Sequence, residues 1–352
     1  MKNIIEAVTR ACADLDEVRI MEVCGTHTVS LFRSGIRSVL PPGVRLVSGP
    51  GCPVCVTSQG YIDAVIEVSA RPGVTLCTYG DMVRVPGRTG SLEAHRGRGA
   101  RIEVCYSVLD ALRRAEENPG EEVVFVAVGF ETTAPATALA VLEADRKGLG
   151  NFTILNGHKR VMPALRALLA GSDLPLDGFL LPGHVSVIIG SGAYRDLVDR
   201  YHKACVVAGF EAEQLLEGIL ALVNQMARGT PALENVYGVA VSPEGNTQAL
   251  DCLDRVFEPV DTVWRAMGTI PESGFALRAA FDRFDAEKRF GLVQGEDTHP
   301  PGCRCGEVIQ GRAEPRDCTL FGEACTFENP VGPCMVSSEG TCAAWYRYGG
   351  VR

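Results

Sequence analysis

The stretch Val123-Val-Phe-Val-Ala-Val-Gly129 contains no polar side chain, and it runs through Phe130-Glu131-Thr132-Thr133 into a helical pattern that lasts to about residue 148. A strand that is apolar at every position, rather than at alternate ones, must be covered on both faces. That is the situation of a parallel sheet between helices. Seven further runs repeat the pattern: 18–24 (VRIMEVC), 44–48 (VRLVS), 74–79 (VTLCTY), 102–106 (IEVCY), 152–156 (FTILN), 178–181 (GFLL) and 204–208 (ACVVA). Helical patterns near 57–70, 107–117, 133–148, 161–170, 191–201 and 211–228 separate them. The spacing therefore predicts an α/β protein. Its eight strands fall into two sets of four on either side of Glu116-Glu117-Asn118-Pro119-Gly120, which favours two similar open parallel-sheet lobes over one closed barrel. The expected divisions are 1–118 and 119–230 for the lobes and 231–352 for a C-terminal region. After 74–79 the helix is missing, replaced by the Gly- and Arg-rich loop 86–100.

The residues just past each strand are more informative than the strands. The exits read Cys24-Gly-Thr-His27-Thr28, Gly49-Pro-Gly-Cys52-Pro-Val-Cys55, Thr78-Tyr-Gly-Asp81, Gly129-Phe-Glu131-Thr-Thr133, Asn156-Gly-His158, Pro182-Gly-His184 and Gly209-Phe-Glu211. Open parallel sheets bind ligands beyond the carboxyl ends of their strands. Beyond 230, residues 236–241 read as one more strand and 246–256 and 273–284 as helices. From about 297 the chain is rich in Pro, Gly and Cys and has no periodicity, so that segment needs a staple to fold.

The 352 residues suffice for two or three domains. A formal charge of −9 argues against a nucleic-acid partner, which calls for a basic surface. Glu6, Asp14, Asp16 and Glu17 interrupt any apolar leader segment. Ile4, Ile5, Val8, Cys12 and Leu15 instead form one helical stripe, and no uncharged run is long enough for a bilayer. The expected compartment is the cytoplasm, where 14 cysteines are not read as a structural disulfide framework. Cys12, Cys77, Cys105, Cys205 and Cys252 read as ordinary buried thiols. Nine remain.

Six of those nine lie in the tail. Cys303, Cys318, Cys325 and Cys342 are separated by 14, 6 and 16 residues, with Cys305 and Cys334 left over. Four thiolates suit tetrahedral zinc or a cubane iron–sulfur cluster; the long single spacings, lacking close C-x2–4-C pairs, favour the cluster. In the Gly49–Cys55 loop, Cys52 faces the first turn of the next helix, where free N–H groups and the helix dipole lower a thiol's pKa. Its C-x-x-C reads as a redox-active dithiol, half of a zinc site or two buried thiols. Cys24 reads as a soft ligand for iron or as a nucleophile, with His27 as acid, base or orienting group, or as a capping or core histidine. Because Cys24 and Cys52 leave neighbouring strands at one edge, they are expected close in space. Asp81 and Glu131 are candidates for chemistry or for helix capping, and the helix beginning after Glu131 offers its N-terminus to an anion such as cyanide or phosphate. No nucleotide-binding glycine motif is present. His158 and His184 read as loop-orienting residues, His95 and His202 as surface residues, and His299 as lining a cluster entrance.

The motifs CGTHT at 24–28, GPGCPVC at 49–55, TYGDM at 78–82, GFETTAP at 129–135, PGHVS at 182–186 and CTLFGEACTFENPVGPCMVSSEGTCAAWY at 318–346 together resemble the HypD family, the iron–sulfur proteins of nickel–iron hydrogenase maturation. The likeness runs from about residue 20 to 346, and no motif position departs from it. It implies two similar α/β lobes and a third region in which Cys303, Cys318, Cys325 and Cys342 hold a 4Fe–4S cluster, in surroundings like those of ferredoxin–thioredoxin reductase. It also implies work with a small HypC-like chaperone and a HypE-like cyanide donor. On that complex a transient Fe(CN)2CO iron centre is assembled before transfer to the hydrogenase large subunit. In that setting Cys24 is the expected iron anchor, bridging with a cysteine of HypC, and Cys52 and Cys55 the dithiol that delivers electrons. His27, Thr28, Asp81 and Glu131 form the expected polar surround. Two other readings stand beside this one: a cluster-dependent protein disulfide reductase, and a zinc-stapled binding module.

Overall fold

The computed structural model describes residues 1–171 and 174–350. Its strands are β1 (Val18–Glu22), β2 (Val44–Ser48), β3 (Val74–Thr78), β4 (Arg101–Val104), β5 (Glu122–Ala127), β6 (Phe152–Asn156), β7 (Gly178–Pro182), β8 (Ala204–Ala208), β9 (Leu233–Asn235), β10 (Phe257–Trp264) and β11 (Gly268–Leu277). Three of the expected strands, 44–48, 152–156 and 204–208, keep the bounds read from sequence, and the other five shift by at most two residues at either end.

Strand pairing does not follow chain order. One parallel sheet has the order β2-β1-β7-β8-β9 and the other β4-β3-β5-β6. β1 pairs with β7 at Ile20↔Gly178, and β3 pairs with β5 from Val74↔Glu122 to Cys77↔Phe125. The expected divisions at 118/119 and 230/231 are therefore corrected. The second sheet is complete within residues 74–156, and the first is built from both sides of it. Asn118-Pro119-Gly120 is only the turn between helix Val108–Glu117 and β5. An apolar strand states that it needs neighbours without saying which ones, so equal sets by chain order carried no information on pairing.

The doubly apolar strands separate three cores. Val124 and Val126 of β5 join a central cluster that also holds Phe179, Leu181, Cys205 and Val207 of the first sheet. Val123, Phe125 and Ala127 point the other way, into a cluster with helices Val108–Glu117 and Ala134–Lys147. Ala204, Val206 and Ala208 of β8 face a third, beneath helix Ala212–Arg228 and the N-terminal helix Lys2–Ala11. The two sheets thus meet through their inner faces. Cys305, Cys318, Cys325, Cys334 and Cys342 belong to the central cluster, so the tail is wedged between the lobes and is not a separate body.

Two local expectations fail. Residues 273–284 are not a helix: β10 and β11 form an antiparallel hairpin, followed by a 3-10 helix Ala279–Phe284. Trp264 drives this, its indole buried and donating to Ser273 Oγ at 2.8 Å across the hairpin. Residues 236–241 are not a strand either, since β9 pairs three residues earlier. The loop 86–100 contains a short helix, Leu92–Gly97, capped by Ser91.

Candidate metal and redox site

The strand exits converge on one cavity of about 400 Å³. It is bordered by Cys24 and Thr26 after β1, Gly51 and Pro53 after β2, Tyr79 and Asp81 after β3, Thr132 and Thr133 after β5, and His184 after β7. Ser337, Ser338 and Glu339 of the tail close it. Both sheets and the tail are needed to make it.

Cys24 is the N-cap of helix Gly25–Arg33 and is 8 % exposed. Burial pushes its thiol up to about 12, with the Glu339 carboxylate adding to the rise. The loop of the C-x-x-C motif packs backbone against backbone on it: a Cβ at Gly51 would lie 2.6 Å from Cys24 Cα, and Gly25 N donates to Gly51 O at 3.3 Å. The expected proximity of the two thiol loops holds. Cys52 and Cys55 form a disulfide, with 5 % and 1 % exposure. Cys52 caps helix Pro53–Val56, and its sulfur accepts from Cys55 N at 3.2 Å.

The expected polar surround is only partly assembled. Asp81 is at the cavity, where its Oδ2 accepts from Ser337 Oγ at 2.9 Å, Ser338 N at 2.9 Å and Ser338 Oγ at 3.0 Å. It ties the tail to the end of β3. Glu131 is buried behind the cavity, its two oxygens accepting from Val161 N at 3.0 and 3.2 Å at the start of helix Val161–Gly171. Burial pushes it up to about 7. Thr28 Oγ1 donates back to Cys24 O at 3.3 Å. His27 turns away under the first sheet with 0 % exposure, its Nε2 facing Ala208 O at 3.3 Å and its ring against Phe210. Burial lowers it to about 4, so this is a neutral core histidine. His184 reaches the cavity instead, stacked on Phe210 at 3.8 Å.

Sequence reasoning missed Glu339. Thr26 Oγ1 donates to its Oε1 at 2.7 Å, and a Cβ at Gly25 would lie 2.5 Å from the Glu339 carbonyl oxygen. Glycine at 25 is what admits the tail to the cysteine. The one available signal was a lone acid between Cys334 and Cys342.

The six tail sulfurs form one electrostatically linked group, in which Cys303 acts on Cys305, Cys325, Cys334 and Cys342 and Cys318 acts on Cys325, and Cys303 and Cys305 flank Gly332. A Cβ there would lie 3.0 Å from Cys303 Sγ and 3.3 Å from Cys305 Sγ. Cys325 Sγ accepts from Val331 N at 3.4 Å and Cys334 Sγ from Cys342 N at 3.2 Å. A hydrogen bond from Cys305 lowers Cys303 to about 6, and one from Cys342 lowers Cys334. Such N–H···S and S–H···S contacts suit anionic sulfur. Among the described residues no three Cys, His or carboxylate side chains converge tightly enough to hold a single metal ion. Cys305 and Cys334, outside the expected ligand set, lie within the group and are unbridged. Helix Pro333–Val336, which carries Cys334, packs on helix Pro53–Val56, which carries Cys55.

Fold and site define a two-lobed α/β protein with a lone cysteine at a shared cleft, a disulfide loop whose backbone borders it, and a thiol-rich strap. The family model described as HypD, hydrogenase formation hypA family, matches residues 1–349. Relatives named hydrogenase maturation factor HypD are 46 % identical in Azotobacter vinelandii, over 98 % of this chain and 93 % of the relative. In Rhodobacter capsulatus the identity is 46 % over 95 % and 90 %, and in Escherichia coli K12 44 % over 94 % and 89 %. The chain belongs to the HypD family. No helix among the described residues is long and apolar enough to cross a membrane.

Proposed function

We propose that this chain is a redox-active scaffold of hydrogenase maturation, working in the cytoplasm with HypC-like and HypE-like partners, on which the Fe(CN)2CO group is put together. The reading is supported by one convergence: Cys24, the backbone of the Cys52–Cys55 loop and Glu339 border a single 400 Å³ cavity. The cargo iron binds Cys24 there. Burial keeps that thiol protonated until a cation arrives, and the proton then displaced has the Glu339 carboxylate nearby. Asp81 and Thr26 hold the tail closed over the site. Cys52 and Cys55 supply two electrons when reduced, re-forming their disulfide. Cys303, Cys318, Cys325 and Cys342 would hold a 4Fe–4S cluster, which would supply single-electron chemistry.

A protein disulfide reductase needs an attacking thiol within reach of its substrate. Cys52 and Cys55 are enclosed, which disfavours attack on a docked protein. The test is Cys24→Ala in the complex purified anaerobically with the HypC-like partner. The iron–cyanide infrared bands are expected to disappear while the visible absorption of the cluster persists. Retained bands would remove Cys24 as the anchor.

A further inference from the structure

β2 is the outer strand of the first sheet, with β1 on one side and no strand on the other. Its register with β1, from Val18↔Val44 to Glu22↔Ser48, fixes which of its backbone groups are spent. Val18 N donates to Gly43 O and Gly49 N to Glu22 O, so the alternate residues 43, 45, 47 and 49 turn their backbone groups to β1. Those of Leu46 and Ser48 face outward. Leu46 O accepts from Arg37 Nη1 at 3.1 Å, whereas the N–H groups of Leu46 and Ser48 have no partner among the described residues. Both residues are buried, at 7 % and 8 % exposure, where a backbone N–H is normally paired.

Leu46 and Ser48 border a cavity of about 240 Å³ between β2 and the tail, together with Arg19, Arg37, Arg45 and Arg312. The carboxylates on its lining, Glu314 and Asp317, are already engaged: Glu314 pairs with Arg45 at 3.2 Å, and Asp317 accepts from Glu314 N at 2.8 Å. Three of the arginines are held by acids. Glu17 takes Arg19 Nε at 2.8 Å and faces Arg45 at 3.7 Å, and the buried Glu22 pairs with Arg37. Arg37 also lies over the Phe32 ring, 4.8 Å from its centroid, and its Nε is buried without a partner. The Arg312 side chain has no hydrogen-bond or ion-pair partner among the described residues. Guanidinium and amide groups only donate, so the cavity is rich in donors and poor in free acceptors.

A peptide strand added to β2 would need Leu46 O and Ser48 O as acceptors as well as the two amides. Arg37 occupies the first, and a Cβ at Gly311 would lie 3.4 Å from the second, so the tail fills that side. An oxyanion needs donors alone, and arginine forks match its geometry. A second chamber of about 440 Å³ adjoins the first, sharing Arg37, Arg45, Glu314 and Trp345 with it. Phe32, Trp345 and Tyr348 line this chamber, with the Phe32 and Trp345 ring centroids 5.3 Å apart. We propose that the cavity between β2 and residues 311–317 is a binding site for a phosphate-class oxyanion, either free or esterified to a small planar group that the aromatic chamber receives. Neither chamber shares a residue with the Cys24 cavity, so the assignment does not rest on the maturation reading.

The test is isothermal titration calorimetry of the full chain, purified anaerobically, with inorganic phosphate at constant ionic strength. Wild type is expected to bind a single phosphate. Arg312→Gln removes an exposed, unpaired side chain, and Ala313→Glu sets a carboxylate on the cavity wall. Each is expected to weaken binding at least tenfold. Arg113→Gln, at an exposed position outside both chambers, is expected to leave it unchanged. Phenyl phosphate separates the two sources. Tighter binding than phosphate assigns an organic ester, equal or weaker binding assigns the free anion, and either result upholds the site. The proposal is overturned by the absence of saturable heat from both probes in wild type, by an equal response to chloride, or by binding that is unchanged in both Arg312→Gln and Ala313→Glu.

Discussion

Glu131 shows how a residue read as chemistry can be occupied by architecture. Both its oxygens serve the first amide of helix Val161–Gly171, and burial raises its pKa from 4.5 to about 7. A carboxyl raised on folding contributes stability that is complete below pH 4.5 and is lost as pH climbs through about 7. The full difference is on the order of 3 kcal/mol. Glu131→Gln keeps a carbonyl for Val161 and removes the titration. Its unfolding free energy, measured in urea, is expected to exceed the wild-type value at pH 8 and to vary less between pH 5 and pH 8. A variant that falls with pH as the wild type does would show that the carboxyl is not responsible. At this scale the position of thiols and an acid directly after apolar strands was legible, and the structure brings Cys24, the loop of Cys52 and Cys55, and Asp81 to one cavity. The sequence reading misplaced His27: a histidine three residues into a helix reaches either the cavity or the sheet beneath, and only the position of Ala208 and Phe210 decides which.

Among the elements, the tail loop at 337–339 depends most on a few contacts. Asp81 supplies three hydrogen bonds to it and Thr26 a fourth, through Glu339. Hydrogen bonds to a charged acceptor contribute about 1.5–3 kcal/mol each when well shielded, and less at this half-buried position. Asp81→Ala is expected to speed hydrogen–deuterium exchange across 333–344 at least tenfold while leaving the amides of β5 unchanged. Uniform acceleration in both would mean that the loop opens only with the whole fold. Helices and parallel strands were legible because their hydrophobic periods are 3.6 and continuous. The hairpin was not. Pro259, Gly268, Pro271 and Gly274 interrupt any strand period, yet Gly274 is where a Cβ would collide with Thr262 on the facing strand, 1.9 Å from its Oγ1. The tail had no period at all, so Glu339 and its contact with Gly25 were beyond reach of pattern.

For the molecule as a whole, the pairing of β3 with β5 and β1 with β7 predicts how it can be cut. A fragment of residues 119–230 contains β5 without β3 and β7 without β1, leaving two doubly apolar strands short of a neighbour. It is expected to be insoluble or to lack dispersed amide resonances, whereas residues 70–158 retain a whole four-stranded sheet and the better chance of folded signals. A well-dispersed spectrum from 119–230 would contradict the nested arrangement. Apolar runs fixed the class of the fold, and Cys24 and the disulfide did come together as their neighbouring strands required. The nesting itself was invisible, because nothing in a Val-rich strand names its partner.

That nesting also sets a timetable for synthesis. Strand β1 leaves the ribosome early, but its inner neighbour β7 begins 158 residues after the residue it pairs with, and the sulfur-bearing tail follows every strand. The inserted sheet can close while the outer one still waits for its second half, since domains fold as their chains are completed. Until residues 337–339 arrive, the cavity beside Cys24 stands open on that side. The cavity is closed by the same late segment, so a chain interrupted before residue 337 lacks one of its walls.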